Sequence, residues 1–276
     1  WKGADNIAGR MTSAALGPMS WIYRRCLPKN YEIQKLPRPV ISIGNITVGG
    51  SGKTPFTILL AGWLGSTLHK RVAVLSRGYR KESRKEVTVV SDGAQIVCSP
   101  AEAGDEAFLT AQKVPSAVVI TAINRYEAGR MATEDYDAEV ILLDDGFQHR
   151  KLDRQLDLVM LDSQRGIGNG RLLPAGPMRE PLSALERADW LILFHRPGAS
   201  PKSLRQIVHG VPYVSHKVLE VKAAAGPLLA LPAAHRPGER CRLEQLVGGH
   251  ARSIYWFLIS GIADPASFEQ AAAAEG

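Results

Sequence analysis

Short apolar runs bounded by polar residues alternate with longer stretches of helical spacing through most of this chain. The runs at 72–76, 87–90, 117–121, 140–143, 158–161 and 190–194 are rich in Val, Ile and Leu with little polar alternation. That pattern suits strands buried on both faces of a parallel sheet. Between them, 55–68, 101–112, 125–133 and 182–188 read as helices. The alternation predicts a three-layer α/β/α core over residues 36–213.

The flanks differ from this core. Met11, Ala14, Ala15, Met19, Ile22, Tyr23 and Cys26 fall on helical spacing within residues 1–35, with Trp21, Arg24, Arg25 and Lys29 beside them. Gly17-Pro18 is expected to break or kink that helix. An apolar face with a basic end fits a helix lying on a membrane surface. It equally fits a helix packed on the protein's own core, and both readings stand. Leu36-Pro-Arg-Pro39 reads as an extended connector. In residues 214–276, a strand at 211–221 leads into an Ala/Pro/Gly-rich linker at 223–237. A further strand at 253–260 and a helix from Ala266 then read as the start of a second, smaller α/β domain, incomplete where the sequence stops at Gly276. No internal repeat is found.

Composition narrows the partners. The 276 residues are 45% hydrophobic, enough for a folded core. The net charge of +7 favours anionic partners such as nucleotides, acidic lipids or phosphorylated substrates. No basic patch interleaved with aromatics is present, so no nucleic-acid partner is expected. Cys26, Cys98 and Cys241 are too scattered for a zinc site or disulfide framework, which suits a reducing compartment. No apolar run is long enough to span a bilayer, and no cleavable signal peptide is expected. The sequence opens at Trp1 without Met, as a fragment or processed chain would.

The chemistry starts at Ile41-Ser-Ile-Gly-Asn-Ile-Thr-Val-Gly-Gly-Ser-Gly-Lys-Thr-Pro55, an apolar strand running into a phosphate-cradling loop. The segment Thr47, Val48, Gly49, Gly50, Ser51, Gly52, Lys53, Thr54 would bind ATP. The glycines can take positive φ and turn amide groups inward onto phosphate oxygens. Lys53 would reach the β- and γ-phosphates and the Thr54 hydroxyl would ligate Mg²⁺. Thr47 stands where the usual pattern has its first glycine. In Ile141-Leu-Leu-Asp-Asp-Gly-Phe-Gln-His149 an apolar strand ends in Asp144 and Asp145, the arrangement that sets a carboxylate beside the metal. A guanine-reading N-K-x-D motif is absent, which counts against a GTPase. The signature-lysine position of a partition-type ATPase switch is Val48, which counts against that class too.

Other candidates are weaker taken singly. Gly104-Asp105-Glu106 lies at a helix start, where carboxylates also serve as simple caps. Arg125 and Arg179 are candidate phosphate clamps. Arg77, in Ser76-Arg-Gly-Tyr-Arg80, follows a strand and would share the P-loop's edge of the sheet. His149 reads either as a substrate contact or as a structural loop residue. The long Gly/Pro-rich loop 168–181, with Asn169 and Arg171, is of the kind that carries function.

Five segments together resemble the tetraacyldisaccharide 4′-kinase family. They are Gly44–Pro55, Leu75-Ser-Arg-Gly-Tyr-Arg80, Gly104-Asp-Glu-Ala107, Asp144-Asp-Gly-Phe-Gln-His149 and Asn169-Gly-Arg-Leu-Leu-Pro-Ala-Gly-Pro-Met-Arg-Glu-Pro181. The resemblance extends from the N-terminal helix to Gly261-Ile-Ala-Asp-Pro265, and Thr47 fits it. It implies a P-loop kinase that phosphorylates the 4′-hydroxyl of a tetraacyldisaccharide 1-phosphate in lipid A biosynthesis, at the cytoplasmic face of the bacterial inner membrane. ATP and Mg²⁺ would be its cofactors. By the same resemblance Asp105 takes the hydroxyl proton and Asp144 and Asp145 support Mg²⁺ and catalysis. Lys53 acts on the phosphate, Arg125 and Arg179 lie near substrate or the transferring phosphate, and Arg77, His149, Asn169 and Arg171 lie near substrate. The N-terminal helix would hold the protein peripherally at the membrane while the acyl chains stay in the bilayer. The family pattern continues to an Asp-His-His segment that this sequence does not reach, so an ATP-binding but catalytically impaired fragment is the alternative.

Overall fold

A computed structural model describes residues 15–27, 32–78, 81–83, 85–195, 204–207, 218–222 and 229–231. The described elements, in chain order, begin with helix α1 (Gly17–Cys26) and strand β1 (Val40–Gly44). Next come α2 (Lys53–Ser66), β2 (Val72–Ser76), β3 (Val87–Asp92), α3 (Pro100–Ala103), α4 (Asp105–Lys113) and β4 (Val118–Ala122). Then follow α5 (Arg125–Glu134), β5 (Val140–Asp144), β6 (Leu156–Asp162), a 3₁₀ turn (Leu182–Arg187) and β7 (Trp190–His195). Helix α6 (Leu204–Ile207), β8 (Val218–Lys222) and β9 (Leu229–Leu231) complete the set.

The strands form one sheet in the order β3-β4-β2-β5-β1-β6-β7-β8-β9. Its faces follow directly from the period-two geometry of a strand. Ile41, Ile43, Val72 and Val74 pack with Phe56, Leu60 and Leu64 of α2 and with Ala107 and Ala111 of α4. Their neighbours Ala73, Leu75, Ile141 and Leu143 face the other way, against Ala128 and Ala132 of α5. Val159, Leu161, Leu191 and Leu193 pack on that face too, against Ala184 and Leu185 of the 3₁₀ turn and Ile207 of α6. Uniform burial of the central strands explains their unalternating sequence: β1, β2, β4, β5 and β6 are buried at every position. The three-layer α/β/α core is therefore as expected.

Several local expectations are corrected. The sheet is mixed, because β3 runs antiparallel to β4 and β9 antiparallel to β8. Strand β9 lies inside the stretch expected to be linker, and β7 pairs with β8 across the expected end of the core at residue 213. The helix expected at 101–112 is two helices, divided at Gly104, whose φ of 82° and ψ of 147° stop α3 and open α4. Residues 182–187 form a 3₁₀ turn rather than an α-helix. Six residues between Pro181 and β7 close with tight bonds such as Ala184 N–H to the Pro181 carbonyl, 2.9 Å. Helix α2 starts at Lys53 with Pro55 in its first turn, where no amide partner is needed. Pro18 likewise stands in the first turn of α1, which begins at Gly17, where the break or kink was expected. The expectations for residues 11 and 14, the 211–217 part of the strand, the strand at 253–260, the helix from 266 and the incomplete second domain lie outside the described residues.

Candidate active site

Register brings the candidate residues to one edge. Parallel pairing of β1 with β5 sets Ile43 opposite Asp144, so the loop after β1 and the Asp144-Asp145 pair leave the sheet side by side. Strands β2 and β4, parallel neighbours in the sheet, deliver Arg77 and the start of α5 respectively to the same carboxyl edge. This edge is where open α/β sheets bind ligands. The approach is close: a Cβ on Gly44 would lie 2.4 Å from the Cβ of Phe147, so only glycine lets β1 and the 145–149 turn come together.

The loop 45–52 is braced from within and from outside. The Asn45 side-chain amide donates to the Ser51 hydroxyl at 3.0 Å, both residues being buried. Gly52 caps α2 with φ 82°, and Gly49 has φ 107°; Gly50 is not in the positive-φ region. From outside, the Gly/Pro-rich loop lies along the P-loop as an added backbone ladder. Val48 N–H donates to the Pro177 carbonyl at 2.8 Å and Arg179 N–H to the Ile46 carbonyl at 2.7 Å, while Thr47 bridges to Met178. The Val48 amide, expected to face phosphate, is thus already engaged, leaving Gly49 to Thr54 as the cradle.

Asp144 and Asp145 are held in opposite electrostatic states. Asp144, 3% exposed, accepts hydrogen bonds from Thr54 Oγ1 at 3.0 Å and Thr57 Oγ1 at 3.4 Å. Burial pushes its carboxyl up to about 6, against the Thr54 hydrogen bond, with help from the Glu106 and Asp145 charges. Asp145 takes φ 56°, a left-handed conformation that Asp tolerates better than most side chains. Its carboxylate meets Lys53 Nζ at 3.5 Å and Arg179 Nη1 at 2.8 and 3.0 Å. Burial raises it, but the two cations more than offset that and hold it below the usual range. Environments that push two adjacent acids apart are the mark of two different tasks. The Thr54–Asp144 pair, whose acid makes no direct ion pair among the described residues, offers hard oxygens of the kind Mg²⁺ takes. Asp145 instead fixes Lys53.

The remaining candidates divide. Arg125 opens α5 at 6% exposure, its Nη1 donating to the Ile123 carbonyl at 3.0 Å. Burial and the neighbouring Arg77 lower it to about 10, while Asp145 and Asp144 act against them, so all four charges share this edge. Burial, then the Arg125 charge, lowers His149 to about 4, which leaves its ring neutral at pH 7. Asp105 is the exposed first residue of α4. Asn169 does not join the cluster: its side chain braces its own loop, donating to Ala175 O at 2.8 Å and accepting from Arg171 N–H at 3.1 Å. Arg171 is exposed on that loop.

Two residues at the site escaped the sequence reading, and a third, Glu106, stood in it only as a possible cap. Glu106 acts on Asp144 from the first turn of α4. Gln148 donates to Asn45 O at 2.8 Å and to Glu180 Oε1 at 3.1 Å and accepts from Arg179 Nη1 at 3.3 Å. Glu180, 7% exposed, pairs with Arg187 at 2.9 Å. Helix α1 also reaches this region. Ser20 Oγ donates to Leu172 O at 2.9 Å and accepts from Ala175 N–H at 3.0 Å, and Tyr23 donates to Arg179 O at 2.9 Å. Its Met19, Trp21 and Ile22 are left 55–60% exposed. Among the described residues no helix is long and apolar enough to cross a membrane.

Known proteins resemble this chain over most of its length. The family model described as tetraacyldisaccharide-1-P 4′-kinase matches residues 12–276. A tetraacyldisaccharide 4′-kinase of Geobacter sulfurreducens is 41% identical over 244 residues, which cover 88% of this chain and 64% of that protein. One from Syntrophus aciditrophicus is 54% identical over 159 residues, 57% of this chain and 42% of its own length. The chain therefore spans about two thirds of the first relative and less than half of the second. The crystal structure of LpxK from Aquifex aeolicus in complex with ATP superposes with a TM-score of 0.62 at 37% identity. That superposition covers 76% of this chain and 64% of the crystallised one.

Proposed function

The chain belongs to the tetraacyldisaccharide-1-P 4′-kinase family, and from that premise we propose that it transfers the terminal phosphate of ATP to the 4′-hydroxyl of a tetraacyldisaccharide 1-phosphate, a step of lipid A biosynthesis. The observation that carries the reading is the divided carboxylate pair at the phosphate loop, Asp144 on Thr54 and Asp145 on Lys53. A half-buried lysine held by one acid, beside a hydroxyl hydrogen-bonded to a second, buried acid, is what a site for Mg²⁺ and a polyphosphate requires.

In this reading Gly49 to Thr54 and the start of α2 cradle the phosphates, and Lys53 leans on them from beside Asp145. Thr54 and Asp144, with Glu106 near, would hold Mg²⁺; the ion, when bound, neutralises charge on the phosphate oxygens. Asp105, exposed at the mouth of the site, takes the hydroxyl proton as attack proceeds, since an alcohol is a poor acid before then. Arg179 holds Asp145 in place. Arg125 and Arg77 make this edge cationic, which suits a substrate that itself carries phosphate, and neutral His149 lies beside them as a contact for it. The exposed Met19, Trp21 and Ile22 with Arg24 and Arg25 in the last turn of α1 would rest on the anionic cytoplasmic face of the inner membrane. The acyl chains could then remain in the bilayer while the sugar reaches Asp105.

The reading is tested by incubating the protein with ATP, Mg²⁺ and tetraacyldisaccharide 1-phosphate in detergent micelles. A lipid with two phosphates should form only when all three are present. ATP consumption that is indifferent to the lipid would point to an ATPase instead.

A further inference from the structure

The arginines that sequence reading placed at the phosphate are already committed in the structure. Arg179 is bound to Asp145, and Arg125 is buried with its Nη1 on the Ile123 carbonyl. A different guanidinium stands over the P-loop. Gly49 takes φ 107°, which requires glycine, and a Cβ built on it would lie 3.0 Å from Nη1 of Arg165, which sets that guanidinium beside the loop.

Arg165 is carried there by a braced turn. At the end of β6, Asp162 Oδ1 accepts from Gln164 N–H at 2.9 Å and Arg165 N–H at 3.1 Å, and Gly166 N–H donates to Asp162 O at 2.8 Å. Ser163 N–H donates to Phe194 O at 2.9 Å, and the Phe194 ring itself lies against Gly52. Two strand ends therefore fix the turn against the loop. Arg165 is nevertheless exposed, and among the described residues its guanidinium pairs with no carboxylate. A cation with no carboxylate against it among the described residues, at the glycine-lined side of a phosphate cradle, is placed for an anion that arrives.

We propose that Arg165 contacts the terminal phosphate of the bound nucleoside triphosphate as an arginine supplied by the chain itself. Lys53 would then meet the phosphates from the α2 side and Arg165 from the β6 side across Gly49. A guanidinium in that position binds the oxygens that gain charge as the phosphoryl group leaves, so its effect on rate exceeds its effect on binding. The proposal rests on the nucleotide part of the kinase reading and is independent of the acceptor.

The test compares Mg²⁺-ATP and Mg²⁺-ADP affinity by calorimetry for the wild type, Arg165→Ala and Arg165→Lys. Arg165→Ala should weaken ATP by about ten- to a hundredfold and ADP by less than about twofold, the loss expected of a charge-assisted hydrogen bond to the terminal phosphate. Arg165→Lys should fall between them, keeping charge but losing the planar fork. Turnover of Arg165→Ala should drop on the order of 10³-fold. Equal loss for ATP and ADP, or no loss for either, overturns the assignment. Should the wild type bind nucleotide yet leave the lipid unphosphorylated, the kinase reading fails. The assignment then still stands if Arg165→Ala abolishes the preference for ATP over ADP. A wild type that binds neither nucleotide overturns both.

Discussion

Replacing Asp144 by Asn should stabilise the nucleotide-free protein at neutral pH while disabling it. The carboxyl is fully buried and its folded value is raised from 3.8 to about 6. A group raised on folding contributes stability that is complete below its unfolded value and is lost as pH rises through its folded one. The window here runs from below pH 4 to about pH 7. Two units correspond to about 3 kcal/mol lost by pH 8, and to about half of that at pH 5, where the folded carboxyl is still mostly protonated. The amide of Asn has almost the same shape and can still accept from the Thr54 hydroxyl, so it removes the ionisation cost without opening a cavity. For a chain of this size the gain at pH 8 amounts to roughly 6–12 °C in Tm, shrinking as pH falls to 5. Thermal unfolding of both proteins across that range, in EDTA, measures it. Mg²⁺-dependent ATP binding and turnover should collapse in the same variant. An Asp144→Asn protein that is less stable than wild type at pH 8, or a difference that does not change with pH, would refute the electrostatic argument.

Lys53→Ala should lower phosphoryl transfer by at least about a hundredfold, since the lysine belongs to the phosphate cradle and is held there by Asp145; initial rates at saturating ATP check it. Asp105→Asn should cost a comparable factor in kcat with ATP affinity retained, because the exposed side chain at the start of α4 has no part in the cradle; near-normal turnover would remove it from the base role. Changing Met19, Trp21 and Ile22 together to Ser should abolish flotation with anionic vesicles and leave Tm within about 2 °C of wild type, since all three are exposed; unchanged flotation would dismiss α1 as the membrane contact.

The parts of this site that were legible in the sequence are those where chemistry demands a residue type at a fixed spacing. Gly49, Gly52, Lys53 and Thr54 could be placed because glycine conformations and a lysine and hydroxyl one residue apart define the loop. Asp144 could be placed because an apolar strand ended there. The sequence left the adjacent acids interchangeable, and only the partners, Thr54 for one and Lys53 with Arg179 for the other, tell them apart. The docking of 177–179 onto 46–48 runs through backbone groups, which carry no residue signature. Arg165 and Gln148 were hidden for a related reason. Each acts from a strand-end turn whose nearness to the P-loop depends on the order of strands in the sheet. In the fold, buried strands were plain from their apolar runs, whereas antiparallel β9 is three residues long in a stretch rich in Ala and Pro. The break at Gly104 was concealed because both halves read as one helix.

The central claim is that this phosphate loop delivers the terminal phosphate of ATP to a sugar hydroxyl. It is tested most directly by supplying ATP labelled at the γ-phosphate, with Mg²⁺ and tetraacyldisaccharide 1-phosphate, and locating the label in the product by ³¹P NMR. The account predicts one new phosphate monoester at the 4′-position for each ATP consumed. Label recovered as inorganic phosphate, with the lipid unchanged, would contradict it.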